Sequence, residues 1–128
     1  TALRDPANVK WKRHVKPGTP LPTPWPKAEY EEASRAFQKK RAALRAANRP
    51  ESEMNALFQE DLKATRALFA GQPHRHAVGA FEGANYEASG YYRPAMQCLM
   101  FDRSEAFCPV CRDGISEIID LYAGAARQ

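Results

Sequence analysis

The chain has 128 residues, of which 44% are hydrophobic and 27% are charged, as is ordinary for one globular domain. Its formal net charge of +4 does not indicate nucleic-acid binding, because Lys and Arg are interleaved with Asp and Glu through the middle of the chain. The longest apolar runs are only a few residues, so no membrane span is predicted.

The first segment, residues 1–26, is rich in proline, with five between positions 17 and 26. Proline fixes φ and removes a backbone donor, which excludes both a helix and a central strand. We therefore predict an extended strap on a surface, anchored by Trp11, Leu21 and Trp25, because aromatic side chains bury a large area even from irregular segments. His14, in the basic part of this strap, is expected to be solvated.

Residues 27–70 predict two helices, since Ala, Glu, Lys and Arg dominate and apolar residues recur every three or four positions. The helices are separated at Pro50, because the residue before a proline is pushed out of the α region. So short a connection predicts an antiparallel αα-hairpin with a scaffolding role. We expect Phe37 and Leu44 to pack near Phe58 and Leu62.

Glycines at 79, 83 and 90 interrupt the aromatic and apolar residues of segment 71–107. This pattern predicts one short strand followed by loops with tight backbone approaches. Residues 108–126 place Pro109 where a first helical turn accepts it, and their apolar residues recur on one helical face. We predict that the chain closes with a buried helix.

All three cysteines, Cys98, Cys108 and Cys111, lie in the last third of the chain. The C-P-V-C pair resembles a thioredoxin-type redox pair, but only 17 residues follow it, too few for that fold, so no redox function is expected. We prefer a disulfide from Cys98 to Cys108 or Cys111, worth about 3 kcal/mol. The alternative is a structural zinc site completed by His74 or His76.

Several short segments occur in a fixed order in this chain: V-G-A-F-E-G-A-N-Y, G-Y-Y-R-P, C-L-M, F-C-P-V-C and I-I-D-L-Y. In this order they resemble the C-terminal part of the catalytic domain in the IgA-peptidase family of secreted zinc metallopeptidases. The upstream V-K-W-K-R-H-V-K-P-G-T-P-L-P-T-P-W is similar to the segment that follows the zinc-binding helix there. The resemblance covers residues 5–26 and 77–122, and the charged helices between them look like a variable insertion.

The resemblance implies a metzincin-like domain, in which an H-E-x-x-H helix supplies two zinc ligands and a glutamate base. Met100, in C-L-M, matches the methionine of the Met-turn beneath the metal, where a thioether supports the histidine ligands without binding the metal. Tyr91 and Tyr92 would line the substrate cleft by the same resemblance, with Glu82 and Tyr86 near it. Zinc is the implied cofactor, a protein or peptide the implied substrate, and the implied location is secreted or extracytoplasmic.

The sequence departs from this family pattern because it contains no H-E-x-x-H. We therefore expect zinc to be bound by residues outside this chain, the chain to be inactive alone, and its partner to be the N-terminal half of the same peptidase. The predicted fold is mainly α with a short strand and long loops, one partial domain equivalent to the C-terminal half of a metzincin-like α+β domain carrying a long αα-hairpin. The competing hypothesis is a non-enzymatic interaction module, with or without a Cys₃His zinc site.

Overall fold

The computed structural model of the chain describes residues 4–84 and 86–124. Its elements in chain order are two 3₁₀ turns (Pro6–Asn8 and Lys12–His14), the helices α1 (Lys27–Ala46) and α2 (Glu51–Phe69), the strands β1 (Phe81–Ala84) and β2 (Glu87–Arg93), and the helix α3 (Pro109–Ala123). The prediction of a mainly helical fold is confirmed. None of the described helices has the length and apolar composition needed to cross a membrane.

Residues 25–73 form one of two compact units, and α1 and α2 belong to it. α1 ends because Asn48 adopts a left-handed conformation, with φ +49°. The Asn48 and Arg49 amides then donate to the carbonyls of Arg45 and Leu44, at 3.1 Å each. This hydrogen-bond pattern satisfies the last carbonyls of a helix, and asparagine accepts the left-handed position more readily than most residues.

Aromatic rings connect α1 and α2 within this unit. The Phe37 and Phe58 ring centroids are 5.1 Å apart, so the predicted contact between these side chains is present. Tyr30 stacks on Phe69 with centroids 5.8 Å apart, and Trp25 meets the same Phe69 ring edge-on at 6.1 Å. Such ring pairs add to the burial of apolar area, and Phe69 at their centre is fully buried. α2 ends at Phe69, close to the predicted end at Ala70, and Gly71 follows with φ +79°.

The described residues before position 25 and after position 73 form the other unit, in which the strap up to residue 24 is held by hydrogen bonds to one short backbone segment. The Trp11 indole Nε1 donates to the Gly79 carbonyl at 2.6 Å. The Thr23 amide donates to the Ala80 carbonyl at 2.8 Å, and the Ala80 amide donates to Thr23 Oγ1 at 2.9 Å. The strap is not extended throughout, because its first half, which lacks the proline cluster, forms the two 3₁₀ turns.

Gly79 is required by the close approach of the strap. A Cβ at this position would lie 2.1 Å from Thr23 Oγ1 and 2.9 Å from Thr23 Cβ. The glycine therefore lets Thr23 reach the Ala80 backbone, and Val9, Trp11, Ala80 and Tyr92 bury one another around this contact.

β1 and β2 form a two-stranded antiparallel sheet, where the sequence predicted one strand and loops. Phe81 pairs with Arg93 and Glu82 with Tyr92, and the register is irregular around Gly83, whose φ is +112°. Glycine adopts this conformation without the strain that a side chain would bring, which permits a bulge. Most of β2 is exposed and shows no alternation of apolar and polar residues, which explains why the pattern did not predict it.

The prediction that the closing helix is buried is wrong. No residue of α3 is buried, and Ile118, Ile119, Leu121 and Tyr122 are exposed, with Tyr122 at 86%. Its first turns nevertheless contact the rest of this unit, because Val110 packs against two buried clusters. His14 is not solvated as expected, since its Nε2 lies 2.9 Å from Asp113 Oδ2 on α3.

Candidate functional site

The C-L-M segment forms a turn that places Met100 at the surface. The Phe101 and Asp102 amides donate to the Cys98 carbonyl at 3.0 and 2.9 Å, which closes the turn. Leu99 donates to the Ala106 carbonyl at 2.9 Å. Cys98 at the base of the turn is fully buried, whereas the Met100 side chain is 60% exposed. A rigid turn thus presents a flexible thioether to the outside of the unit.

The four cleft candidates lie on the β1–β2 hairpin in different environments. Tyr86 is fully exposed and has φ +63°, an uncommon conformation for a residue with a bulky side chain. The Tyr91 hydroxyl accepts a hydrogen bond from the Arg4 guanidinium at 3.3 Å. Glu82 is half-buried opposite Tyr92, and Tyr92 itself packs in the core, so it offers little surface to a substrate.

Arg93 connects this hairpin to the Met100 turn. Its guanidinium carbon lies 4.9 Å from the centroid of the Phe101 ring, a cation–π distance. Phe101 is the residue after Met100, so the end of β2 is adjacent to the turn. Neither the Arg93–Phe101 contact nor the Arg4–Tyr91 contact has a signal in the sequence, because each joins residues whose pairing depends on how the loops fold.

The three cysteines meet in space as free thiols. The predicted disulfide from Cys98 to Cys108 or Cys111 is absent from the structure. Their sulfur atoms all lie within 4.8 Å of one another. Cys98 and Cys108 are buried and Cys111 is partly exposed. Three sulfurs in such proximity form a donor set for a thiophilic metal ion.

The environment of the cysteines opposes a redox role. Burial, together with the neighbouring sulfurs, raises the pKa of the Cys111 thiol to about 12, and burial raises the pKa of Cys108. A redox-active cysteine requires the opposite, a depressed pKa that makes the thiolate available for attack.

No histidine completes a metal site among the described residues. The group of closely spaced potential ligands in residues 4–84 and 86–124 consists of the three cysteines, and neither His74 nor His76 belongs to it. His14 is paired with Asp113. The side chains that the structure describes therefore do not fit the histidine-bound zinc of a metallopeptidase, and no catalytic step is assigned to such an ion in this chain.

A family model described as IgA Peptidase M64 matches residues 1–119. The chain belongs to this family. The matched span contains the hairpin candidates, the Met100 turn and all three cysteines, and the resemblance noted from short segments is confirmed. No curated protein and no solved structure matches the chain. Membership of the IgA peptidase family supports a relationship to peptidases and a protein substrate.

Proposed function

We propose that this chain is the C-terminal portion of the catalytic domain of a secreted, metzincin-like zinc metalloendopeptidase. The proposal rests on the family match over residues 1–119, and the exposed Met100 in its turn is the observation that carries it. Histidines outside this chain would hold the zinc, which would supply the Lewis acidity that peptide hydrolysis requires. This chain would supply the support beneath the metal and part of the cleft, and it would be inactive alone.

Met100 would act as a positioning residue. Its thioether is unbranched and polarizable, so it adapts its shape to the groups placed upon it. The two hydrogen bonds to the Cys98 carbonyl fix the turn, so that only the side chain has to adapt. A support of this kind keeps the metal ligands in one orientation, and the loss of such a support lowers metal affinity 10- to 100-fold in other metal sites.

The exposed apolar surface supports the proposal that the partner is the N-terminal half of the same peptidase. Leu99, Met100 and Phe101 lie exposed next to one another, and Ile118, Ile119, Leu121 and Tyr122 lie exposed on α3. Contiguous exposed apolar residues commonly mark a surface that another element covers. The histidines that bind the catalytic zinc would then belong to the element that covers the Met100 turn.

The β1–β2 hairpin would contribute to the substrate cleft. Tyr86 offers an entire aromatic ring to solvent, and Tyr91 is oriented by Arg4. Tyrosine presents a large apolar face and a hydroxyl at the same time, which suits contact with a peptide. Glu82 would lie near the cleft with no assigned step, whereas Tyr92 would support the hairpin from the core.

The test uses the complete gene product, including the coding sequence upstream of Thr1. We expect an H-E-x-x-H helix upstream, one catalytic zinc and hydrolysis of an unfolded protein substrate. Met100→Ala should lower zinc affinity about 10- to 100-fold and decrease kcat without a comparable increase in KM. Met100→Leu, which keeps the volume but not the sulfur, should retain more of both.

Met54→Ala is the matched control, because it makes the same chemical change on α2 in the other unit. It should leave zinc affinity and activity unchanged. A complete reading frame without an upstream H-E-x-x-H would refute the peptidase assignment. Unchanged zinc affinity in Met100→Ala would refute the role of Met100 while leaving the assignment intact.

A further inference from the structure

We propose that Cys98, Cys108 and Cys111 form a structural metal site that binds one Zn²⁺ through three thiolates. The site is contained in this chain, so it does not depend on the proposed peptidase function. Its three ligands come from two elements, the Met100 turn and the start of α3. The inference rests on distances, on hydrogen bonds to sulfur and on the position of α3.

The sulfur positions fit a tetrahedral ion. Tetrahedral zinc with Zn–S bonds of about 2.3 Å requires its sulfurs to lie about 3.8 Å apart. The three sulfurs here lie within 4.8 Å of one another, so shifts of about 1 Å or less would complete the geometry. Cys108 and Cys111 have the C-x₂-C spacing common in structural zinc sites, and Cys98 reaches them from ten residues upstream.

Backbone amides already point at the most buried sulfur. Cys98 Sγ accepts hydrogen bonds from the Cys108 amide at 3.1 Å and from the Met100 amide at 3.5 Å. A neutral thiol is a weak acceptor and does not need two such donors. A metal-bound thiolate keeps negative charge and is stabilised by hydrogen bonds from groups around the site. These amides therefore fit a thiolate ligand at Cys98.

The start of α3 adds a favourable electrostatic field. Cys108 is the N-cap of this helix, Pro109 is its first residue and Cys111 lies in its first turn. The amino end of a helix carries a partial positive charge, which stabilises anions placed against it. Three thiolates and one Zn²⁺ carry a net charge of −1, which the partial positive charge at this end of the helix would stabilise.

A disulfide would engage fewer of these cysteines than a metal ion would. One disulfide joins two of the three sulfurs and leaves the third as a free thiol, whereas a metal ion engages all three. No His, Asp or Glu of the described ranges belongs to this group, so the described residues supply three ligands, all of them thiolates. Soft thiolates select Zn²⁺ or Cu(I) over hard cations, and the C-x₂-C spacing favours zinc.

The bound ion would fix the Met100 turn to α3. Cys98 begins the turn, and Cys108 and Cys111 begin the helix, so one ion joins the two ends of the intervening loop. A ligand that binds only the folded state stabilises it, so zinc should raise Tm. The structural site would in this way hold in place the methionine that the catalytic site needs.

The experiment titrates the reduced, metal-free 128-residue chain with Zn²⁺ and separately with Co²⁺, against a competing chelator. We expect one Zn²⁺ per chain, an increase in Tm and sulfur-to-cobalt charge-transfer absorption. Cys111→Ser should reduce affinity at least ~100-fold. Because Cys111 is partly exposed, this variant should keep the fold, as far-ultraviolet circular dichroism would verify.

His74→Ala/His76→Ala is the matched control and should bind zinc like the wild type. Substoichiometric zinc on the folded, reduced chain would overturn the proposal, as would full affinity in Cys111→Ser. Loss of zinc in the double histidine variant would replace three-thiolate binding with a Cys₃His site. Met100→Ala should keep this zinc ion, which separates the outcome from the test of the peptidase role.

Discussion

The region where the strap meets β1 and the region around the Met100 turn and α3 differ in how completely they are covered. Around Gly79 and Ala80, the indole of Trp11 and the side chain and backbone of Thr23 are all hydrogen-bonded, and the nearby apolar residues are buried. Around Met100 and along the end of α3, large apolar side chains face solvent.

This difference distinguishes the residues that stabilise the fold of the chain by itself from the apolar residues that remain exposed on its surface. A buried cluster with satisfied polar groups contributes to folding directly, because apolar burial stabilises and no polar group is left without a partner. Exposed leucine, isoleucine and methionine side chains contribute little until another surface covers them. Variants in the two regions should therefore differ in their effects on stability.

The largest effect is expected for Gly79→Ala. The added Cβ would lie 2.1 Å from Thr23 Oγ1, inside a buried contact where Thr23 is itself held by hydrogen bonds. We expect a loss of about 4 kcal/mol or more in the free energy of unfolding, measured by urea denaturation. Gly114→Ala on α3 is the control, because a Cβ at position 114 would meet no neighbouring atom, and it should stabilise the fold by about 0.5–1 kcal/mol. A similar loss of stability in both variants would contradict the close contact between Gly79 and Thr23.

Two methionines give a direct comparison of the buried and exposed environments. Met96 is 1% exposed and Met100 is 60% exposed, although only three residues separate them. Met96→Ala should cost about 2–5 kcal/mol through lost burial and a cavity. Met100→Ala should change the stability of the isolated chain by less than about 0.5 kcal/mol. Equal losses in thermal denaturation would mean that Met100 is buried in solution.

Thr23→Val tests the hydrogen bonds at the strap without changing the shape of the side chain. Thr23 Oγ1 donates to the Pro20 carbonyl at 2.7 Å and accepts from the Ala80 amide at 2.9 Å. Valine would leave a buried amide without its partner, which costs about 1–3 kcal/mol. Thr19→Val in the same strap serves as the control and should stay within about 0.5 kcal/mol. A stable Thr23→Val variant would show that the strap is held by packing alone.

The smallest effect concerns acid sensitivity at the contact between the strap and α3. Hydrogen bonds from Arg13 and His14 lower the pKa of the Asp113 carboxyl. Because the folded-state pKa lies below the unfolded value of about 3.9, this carboxylate stabilises the fold above pH 4 and loses that contribution as pH falls through the folded-state pKa.

Asp113→Asn should therefore be less stable than the wild type at pH 5, and the difference should shrink as pH falls below about 4. Urea midpoints measured between pH 6 and pH 3 provide the comparison. Glu60→Gln removes a similar charge on α2 and should not reproduce this pH-dependent difference. If the difference in urea midpoint between Asp113→Asn and the wild type is the same from pH 6 to pH 3, Asp113 does not form an ion pair.

Local patterns in the sequence predicted much of the molecule. The apolar spacing and the positions of Pro50, Gly71 and Pro109 located three helices to within a few residues, because proline and glycine act as stop and start signals through their own local conformation. The ordered segments located the family, which the match over residues 1–119 confirmed. β2 was missed, because a mostly exposed strand with a bulge shows no period of two.

The sequence proposed candidate residues for the site, and their arrangement came from the structure. C-P-V-C and the cysteine of C-L-M predicted a disulfide, and the structure instead shows free thiols with sulfurs within 4.8 Å of one another. The amide donors on Cys98 Sγ and the pairing of His14 with Asp113 join residues far apart in the chain or depend on exact turn geometry. No local pattern carries that information.

The sequence by itself determined the helices and the family, since helix signals are local and the family is carried by short segments in a fixed order. Only the tertiary structure decided which surfaces are covered: it buried Trp11 and Tyr92, exposed Met100 and the end of α3, and brought three sulfurs together. Burial is decided by the contacts that distant segments make when the chain folds. An apolar pattern on a helix shows that a face can be covered, and the fold determines whether it is.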